Sequence, residues 1–289
     1  MSFFNTKTSV IAKSTIKIKG RSIKKVELSK FHAKWYSANI MRLVVLGKES
    51  LDELEIWVTN LFTSVRNINV TIPKYRSVLF DSEQLQKYYH IVPIKDLKSV
   101  SLIFQMPSVD SYWETKPISL LGHLIGHESE GSILSYLKKR GFATSLSAGL
   151  HDHSNSFSIF GISVELTDEG MKNINEVIEI IFNYIEIMKN ATENDWRRIY
   201  EEEKAIAESK WRFLSKSDVS DYTSTLASQM QIYPAKQTIS AAKLYIKFDY
   251  QIIKNLLNYL TVGNLRINVI SRDFANETDT PLQKQEEVT

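Results

Sequence analysis

The order of elements from Lys87 onward predicts an α+β fold, a mainly antiparallel sheet with helices packed on one face. Three observations carry that expectation. Two apolar-rich stretches, 87–94 and 99–106, are separated by a turn at Lys95-Asp96. Two more, 142–149 and 156–166, are joined by a polar turn. Amphipathic helices follow in a run before a last strand at 265–271, rather than alternating with strands one by one.

Taken in order, residues 26–39 read as a helix with Leu28, Phe31, His32 and Trp35 on one face, and 40–46 as a buried strand that Gly47 ends. Ser50 starts a helix to about residue 65, with Glu53 three residues on as its capping-box partner. Residues 66–84 carry Pro73 and little periodicity, and a linker between domains is expected there, at 71–86. The expected domains are therefore a partial one at 1–70, a second at 87–275, and a polar tail at 276–289.

The second domain centres on residues 118–167. A small-residue helix carrying His123 and His127 breaks at Glu130-Gly131 and resumes as a short helix with Ile133, Leu134 and Leu137 inward. Gly141 stops it before the two strands. Thr167 caps a long helix to about Lys189, with Glu169 and Gly170 beside the cap. Further helices are expected at 194–213, with Trp196, Ile199, Ala207 and Trp211 on its face, at 218–230, and at 249–260.

Composition narrows the function classes. The 289 residues are 43% hydrophobic and 24% charged, the balance of an ordinary globular protein. With no cysteine there is no disulfide, thiolate zinc site or cysteine nucleophile, which fits a reducing compartment. No apolar run approaches the ~18 residues of a membrane span. Residues 1–34 hold nine Lys/Arg against Glu27 alone. This basic opening has two readings, a loosely packed segment or a mitochondrial presequence, and Arg21 as its sole arginine favours the first. A cytoplasmic protein is expected, with the mitochondrion as the alternative. Basic residues confined to one end, with no aromatic platform, speak against nucleic acid.

Candidate chemistry gathers around the histidine helix. His123 and His127 stand four apart, so one helical face presents both, and Glu128 follows. A metal would need a third ligand, with Glu130, His151, Asp152 and His153 as candidates; a structural pair and a substrate contact are the other two roles. Downstream, Leu146, Ser147, Ala148, Gly149 and Leu150 form a strand whose three small residues allow a peptide backbone close approach. The bland alternative is an ordinary edge strand packed under a helix. A peptide's terminal ammonium would find acceptors in Glu128, neutral His127 or a carbonyl near Gly131. His151-Asp152-His153 is expected in a polar turn, and Glu201, Glu202 and Glu203 on a solvent face. Trp196, Trp211, Phe182 and Tyr184 are expected in the core. No P-loop, G-x-S-x-G or dinucleotide fingerprint occurs.

LLGHLIGHESEGSILSYLKKRGF, supported by LSKFHAKWYSANIMRLVVLGKESLDEL, YYHIVPIKDL, VELTDEGMKNINEVI, DYTSTLA and LRINVISRDF, closely resembles the insulysins of the pitrilysin family of zinc peptidases. The likeness runs from about residue 27 to 274, matching the end of a first domain and then a second. It implies a fold of this α+β kind and a chamber that encloses short peptides. In that chamber the peptide's N-terminus is tethered on the second domain while zinc on the first cuts a distal bond. Carried over, the tether comprises His123, His127, Glu128, Gly131 and Leu146, Ser147, Ala148, Gly149 and Leu150. Zinc belongs to the full-length family enzyme, whose H-x-x-E-H motif occurs nowhere in this chain. Two departures stand out: Ser147-Ala148 where glycine is frequent, and an acidic stretch at 217–221 where insulysins are basic. The resemblance thus implies a peptide-binding, non-catalytic portion of a zinc metalloendopeptidase, with no cofactor or catalytic residue of its own. The alternative is a structural or regulatory pseudopeptidase that completes the chamber of an active paralogue. Peptide substrates and either the remaining enzyme domains or that paralogue are the expected partners.

Overall fold

A computed structural model describes residues 25–73, 75 and 79–276. The basic opening through residue 24 and the tail from 277 lie outside the described residues, and the presequence and tail expectations fall there. The chain divides into two compact units, one of residues 1–74, 215–239 and 281–289, the other of 75–214 and 240–280.

In the first unit, α1 (Lys25–Trp35) leads through a short 3-10 turn, Ala38–Ile40, toward α2 (Leu51–Phe62). The α2 start is the expected capping box: Ser50 Oγ takes the Glu53 N–H at 3.3 Å and the Glu53 carboxylate takes the Ser50 N–H at 3.0 Å. The stretch at 40–46, expected as a buried strand, is not one. No strand pairs with it among the described residues, and a strand exists only where a neighbour satisfies its backbone groups.

The second unit holds β1 (Lys87–Ile91), β2 (Ser99–Pro107), α3 (Pro117–Ile125), α4 (Ile133–Lys139), β3 (Ala143–His153), β4 (Phe157–Leu166), α5 (Asp168–Lys172), α6 (Ile174–Asn190) and α7 (Glu193–Arg212). The chain then enters α8 (Val219–Gln229) of the first unit and returns to the second for α9 (Tyr250–Leu257) and β5 (Leu265–Ile270). The sheet order is β1-β5-β2-β4-β3. Only β1 with β5 is parallel; β5 with β2, β2 with β4 and β4 with β3 are antiparallel. β1 and β2, read from sequence with a turn between them, are therefore not neighbours, because β5 lies between.

Strand alternation explains the layers. Val100, Leu102, Phe104 and Met106 of β2 and Phe160, Ile162 and Val164 of β4 are buried under the helices, whereas Ser101 and Ser163 pair hydroxyl to hydroxyl at 2.9 Å on the other face. The expected long helix after Thr167 is interrupted at Asn173 (φ −116°), so α5 is a single turn before α6. Gly170 in that turn is close to Phe142: a Cβ there would lie 1.9 Å from the Phe142 carbonyl oxygen. The Thr167 N–H also reaches that oxygen at 3.0 Å, so the helix entry and the start of β3 are clamped together.

Candidate peptide-anchoring site

α3 begins at Lys116, a left-handed residue (φ 46°) followed by Pro117, whose fixed φ suits a first helical position. The Lys116 ammonium donates to the Ala241 carbonyl, and burial lowers its pKa to about 8. Leu120, Leu121 and Ile125 are fully buried. The small face turns to β3 instead. A Cβ at Gly122 would come 2.9 Å from the Ala148 carbonyl oxygen and 3.1 Å from Gly149 Cα, and one at Gly126 would come 3.4 Å from Ala148 N. Helix and strand touch backbone to backbone, and only glycine permits it.

The helix ends at Gly126, so His127 lies just beyond it and not on the helical face expected from its spacing. The chain turns through Gly131 (φ 84°), and Ser132 caps α4 by accepting the Ser135 N–H at 3.1 Å. α4 closes on a Schellman motif: Phe142 N–H reaches the Leu137 carbonyl at 2.9 Å and Gly141 N–H, with Gly141 at φ 71°, reaches Lys138 at 3.0 Å. That stop delivers the chain into β3, which pairs with β4 on one side and with no strand on the other among the described residues.

The sequence-predicted residues fall into two groups. His123, Ala148 and Gly149 are half-buried and come together through the α3–β3 contact; Leu146 is buried beneath it, and Ser147 and Leu150 are exposed. Gly149 has φ 152°, at the limit of the region side chains avoid. The half-buried His127 belongs to the first group through its ring, which stands edge-on to that of His123, centroids 5.2 Å apart at 80°. Glu128 and Gly131 form the second group, on the turn that comes next, with Gly131 exposed.

Electrostatics fix both imidazoles. His123 Nδ1 lies 3.3 Å from Glu203 Oε1, so that nitrogen carries a proton toward the carboxylate. His127 Nδ1 accepts the Ser129 N–H at 3.2 Å, with Ser129 Oγ at 2.9 Å, so neutral His127 carries its proton on Nε2. Its one acceptor nitrogen is thus engaged, which leaves Glu128 and turn carbonyls as acceptors for an incoming ammonium. Glu203 is the residue that sequence reasoning missed. Its side chain is 17% exposed, whereas Glu201 and Glu202 face solvent as expected. The signal was its place seven residues after Trp196 and three after Tyr200, both buried on α7.

A metal does not fit these residues. Both Nδ1 atoms are engaged, and no group of three or more His, Asp or Glu side chains is arranged to hold an ion among the described residues. The other ligand candidates are elsewhere engaged or exposed: Glu130 pairs with Lys139 at 3.1 Å, and His153 Nε2 stands 4.0 Å from Asp110. Desolvation raises the Asp110 pKa. His151, Asp152 and His153, expected in a turn, are the last residues of β3, beyond a register shift after Leu150. Trp196 is fully buried, and Phe182 and Tyr184 pack against the core. At the acidic stretch, the Asp218 side chain accepts the Ser220 and Asp221 N–H groups, so a carboxylate occupies the N-terminus of α8.

Comparison with known proteins places the chain. Residues 22–202 match the Peptidase M16 inactive domain and residues 211–288 the middle or third domain of peptidase M16. The chain is 38% identical over 255 residues to the A-factor-processing enzyme of Saccharomyces cerevisiae, covering 88% of this chain and 24% of the relative. It is 37% identical over 253 residues to the insulin-degrading enzyme of Drosophila melanogaster, covering 88% and 25%. The crystal structure of pitrilysin superposes with a TM-score of 0.80 at 27% identity, over 85% of this chain and 26% of that one. The chain thus spans about a quarter of the length of these relatives. With its five-stranded sheet, its helices and its inactive-domain match in agreement, the chain belongs to the M16 peptidase family of the insulysins and pitrilysin.

Proposed function

We propose that this chain is the non-catalytic, peptide-binding portion of an insulysin-like zinc metalloendopeptidase. The observation that supports it most is β3 as the last strand of its sheet, with its small residues backed by the glycine face of α3. Free strand edges bind extended peptides through main-chain hydrogen bonds, and small side chains admit the second backbone. In this reading a peptide lies along Leu146, Ser147, Ala148, Gly149 and Leu150. Its terminal ammonium reaches the turn after α3, where Glu128 supplies charge and carbonyls near Gly131 supply acceptors. His123, held by Glu203, and His127, held by Ser129, form the wall between strand and turn. Hydrolysis would fall to zinc held by residues outside this chain, in the remaining domains of the enzyme; zinc there would polarise the scissile carbonyl and activate water. We place the protein in the cytosol; no helix among the described residues is long and apolar enough to cross a membrane.

Fluorescence anisotropy with labelled peptides tests this reading. A free N-terminus should bind at least about tenfold more tightly than its acetylated form, the loss of one charged hydrogen bond. Glu128→Gln should erase most of that difference. Equal affinity for both forms would overturn the tether. Chelator-sensitive cleavage of a fluorogenic peptide by this chain alone would overturn the non-catalytic assignment.

A second reading, a pseudopeptidase that completes the chamber of an active paralogue, draws on the first unit, where Leu51, Ile56 and Leu61 of α2 are exposed at 83%, 57% and 70%. Gel filtration with an active paralogue separates the two, since a defined complex favours the second.

A further inference from the structure

The two units repeat one piece of local structure. In the second, the chain leaves α9, passes Thr261 in an extended conformation (φ −134°, ψ 157°), makes a 3-10 turn at Val262–Asn264 and enters β5 at Leu265 (φ −103°, ψ 133°). In the first, it leaves α1, passes Ser37 (φ −141°, ψ 134°), makes a 3-10 turn at Ala38–Ile40 and leaves through Met41 (φ −96°, ψ 153°). Each turn closes with the N–H of its following residue on the carbonyl of its first, Met41 to Ala38 and Leu265 to Val262. Each also carries an asparagine whose amide donates to a carbonyl outside the turn, Asn39 to Val70 and Asn264 to Gln105.

Beyond the turn, the two segments share a pattern and differ in surroundings. Leu265, Ile267 and Val269 alternate with Arg266 and Asn268, and all three apolar residues are buried between β1 and β2. From Met41 the same register gives Met41, Leu43 and Val45, with Arg42 in the place of Arg266. Leu43 and Val45 are 43% and 44% exposed, and Val44 and Leu46 make the other face apolar too. A six-residue segment apolar on both faces is the composition of a strand covered on both sides.

We infer that residues 41–46 are an interior strand awaiting its sheet, and that the surface they form with α2 docks the open sheet of another peptidase domain of the same family. The occupant is such a domain because the launch into 41–46 reproduces the launch into β5, which is flanked by strands of that kind of sheet. About three quarters of each relative's length lies outside the part this chain matches, which leaves room for such a domain. The inference rests on family membership and on reading the first unit as the closing part of a further domain; it does not depend on peptide anchoring at β3.

The test is amide hydrogen exchange on two proteins. One is this chain alone over a range of concentrations; the other is the yeast A-factor-processing enzyme in which this chain replaces the matching 255 residues. Amides of 41–46 should exchange freely in the lone chain and at least a hundredfold more slowly in the chimera, while those of β5 are protected in both. Leu43→Asp with Val45→Asp should leave the lone chain's melting temperature unchanged and lower that of the chimera. Equal exchange at 41–46 in the two proteins overturns the inference, as does a chimera that fails to fold. Protection that rises with the lone chain's concentration assigns the surface to a second copy and overturns it as well. Peptide anisotropy on the lone chain reads the β3 proposal separately, so either can fail without the other.

Discussion

β5 and residues 41–46 are launched by the same turn and carry the same apolar register, yet one is among the most buried segments of the molecule and the other is half exposed. The difference teaches that a strand is a property of its neighbours. β5 has β1 on one side and β2 on the other, so its backbone groups are paired and its side chains covered. Residues 41–46 have the sequence of a strand and no ladder among the described residues. Local chemistry sets the approach; the sheet has to be supplied.

Substitution exposes the contrast most sharply. Ile267→Ala in β5 should cost about 3 kcal/mol in urea unfolding, the usual cost of a buried cavity, whereas Leu43→Ala at the corresponding position should stay within about 0.5 kcal/mol. Equal costs at the two sites would break the comparison. Next in size is the clamp between α5 and β3: Gly170→Ala drives a methyl into the Phe142 carbonyl and should cost roughly 2 kcal/mol or more, with the loss centred on the second unit. Gly122→Ala should cost about 1–2 kcal/mol and also weaken peptide binding, because α3 must retreat from Ala148 and Gly149. Unchanged affinity in that variant would separate helix packing from the peptide edge.

The smallest effect is on pH. Both units use a capping box, Ser50 with Glu53 and Thr192 with Asp195, and the serine or threonine hydrogen bonds lower both carboxyl pKa values. A depressed carboxyl contributes stability that is full above its ordinary value of about 4 and is lost as pH falls through the lower folded value. Exchange at the first turns of α2 and α7 should therefore accelerate together on acidification below about pH 4, and Glu53→Gln should remove the response in α2 alone. A flat profile in both would contradict the capping account.

Legibility from sequence followed the same division. Ser50 with Glu53, Thr167, Asp218 and Gly141 were readable because a cap or a left-handed stop is settled within a few residues. The α+β class and the four later strands were readable from alternation and helical period. The parallel pairing of β1 with β5 was not, since it joins residues about 180 apart in the chain through neither turn nor period. The strand expected at 40–46 failed because no neighbouring strand pairs with it. Within the candidate site, the small residues of β3 and the α3 glycines announced a close approach, and the structure brings them together at Ala148. The partner of His123 was hidden in a run of three glutamates, where only the spacing from Trp196 and Tyr200 distinguished Glu203.

Hydrogen exchange on this chain with and without a saturating peptide bearing a free N-terminus tests the central claim most directly. Peptide anchoring at β3 predicts new protection at residues 146–150 and in the turn at 127–131, with 41–46 unchanged. Protection that spares 146–150 while the peptide is bound would contradict it.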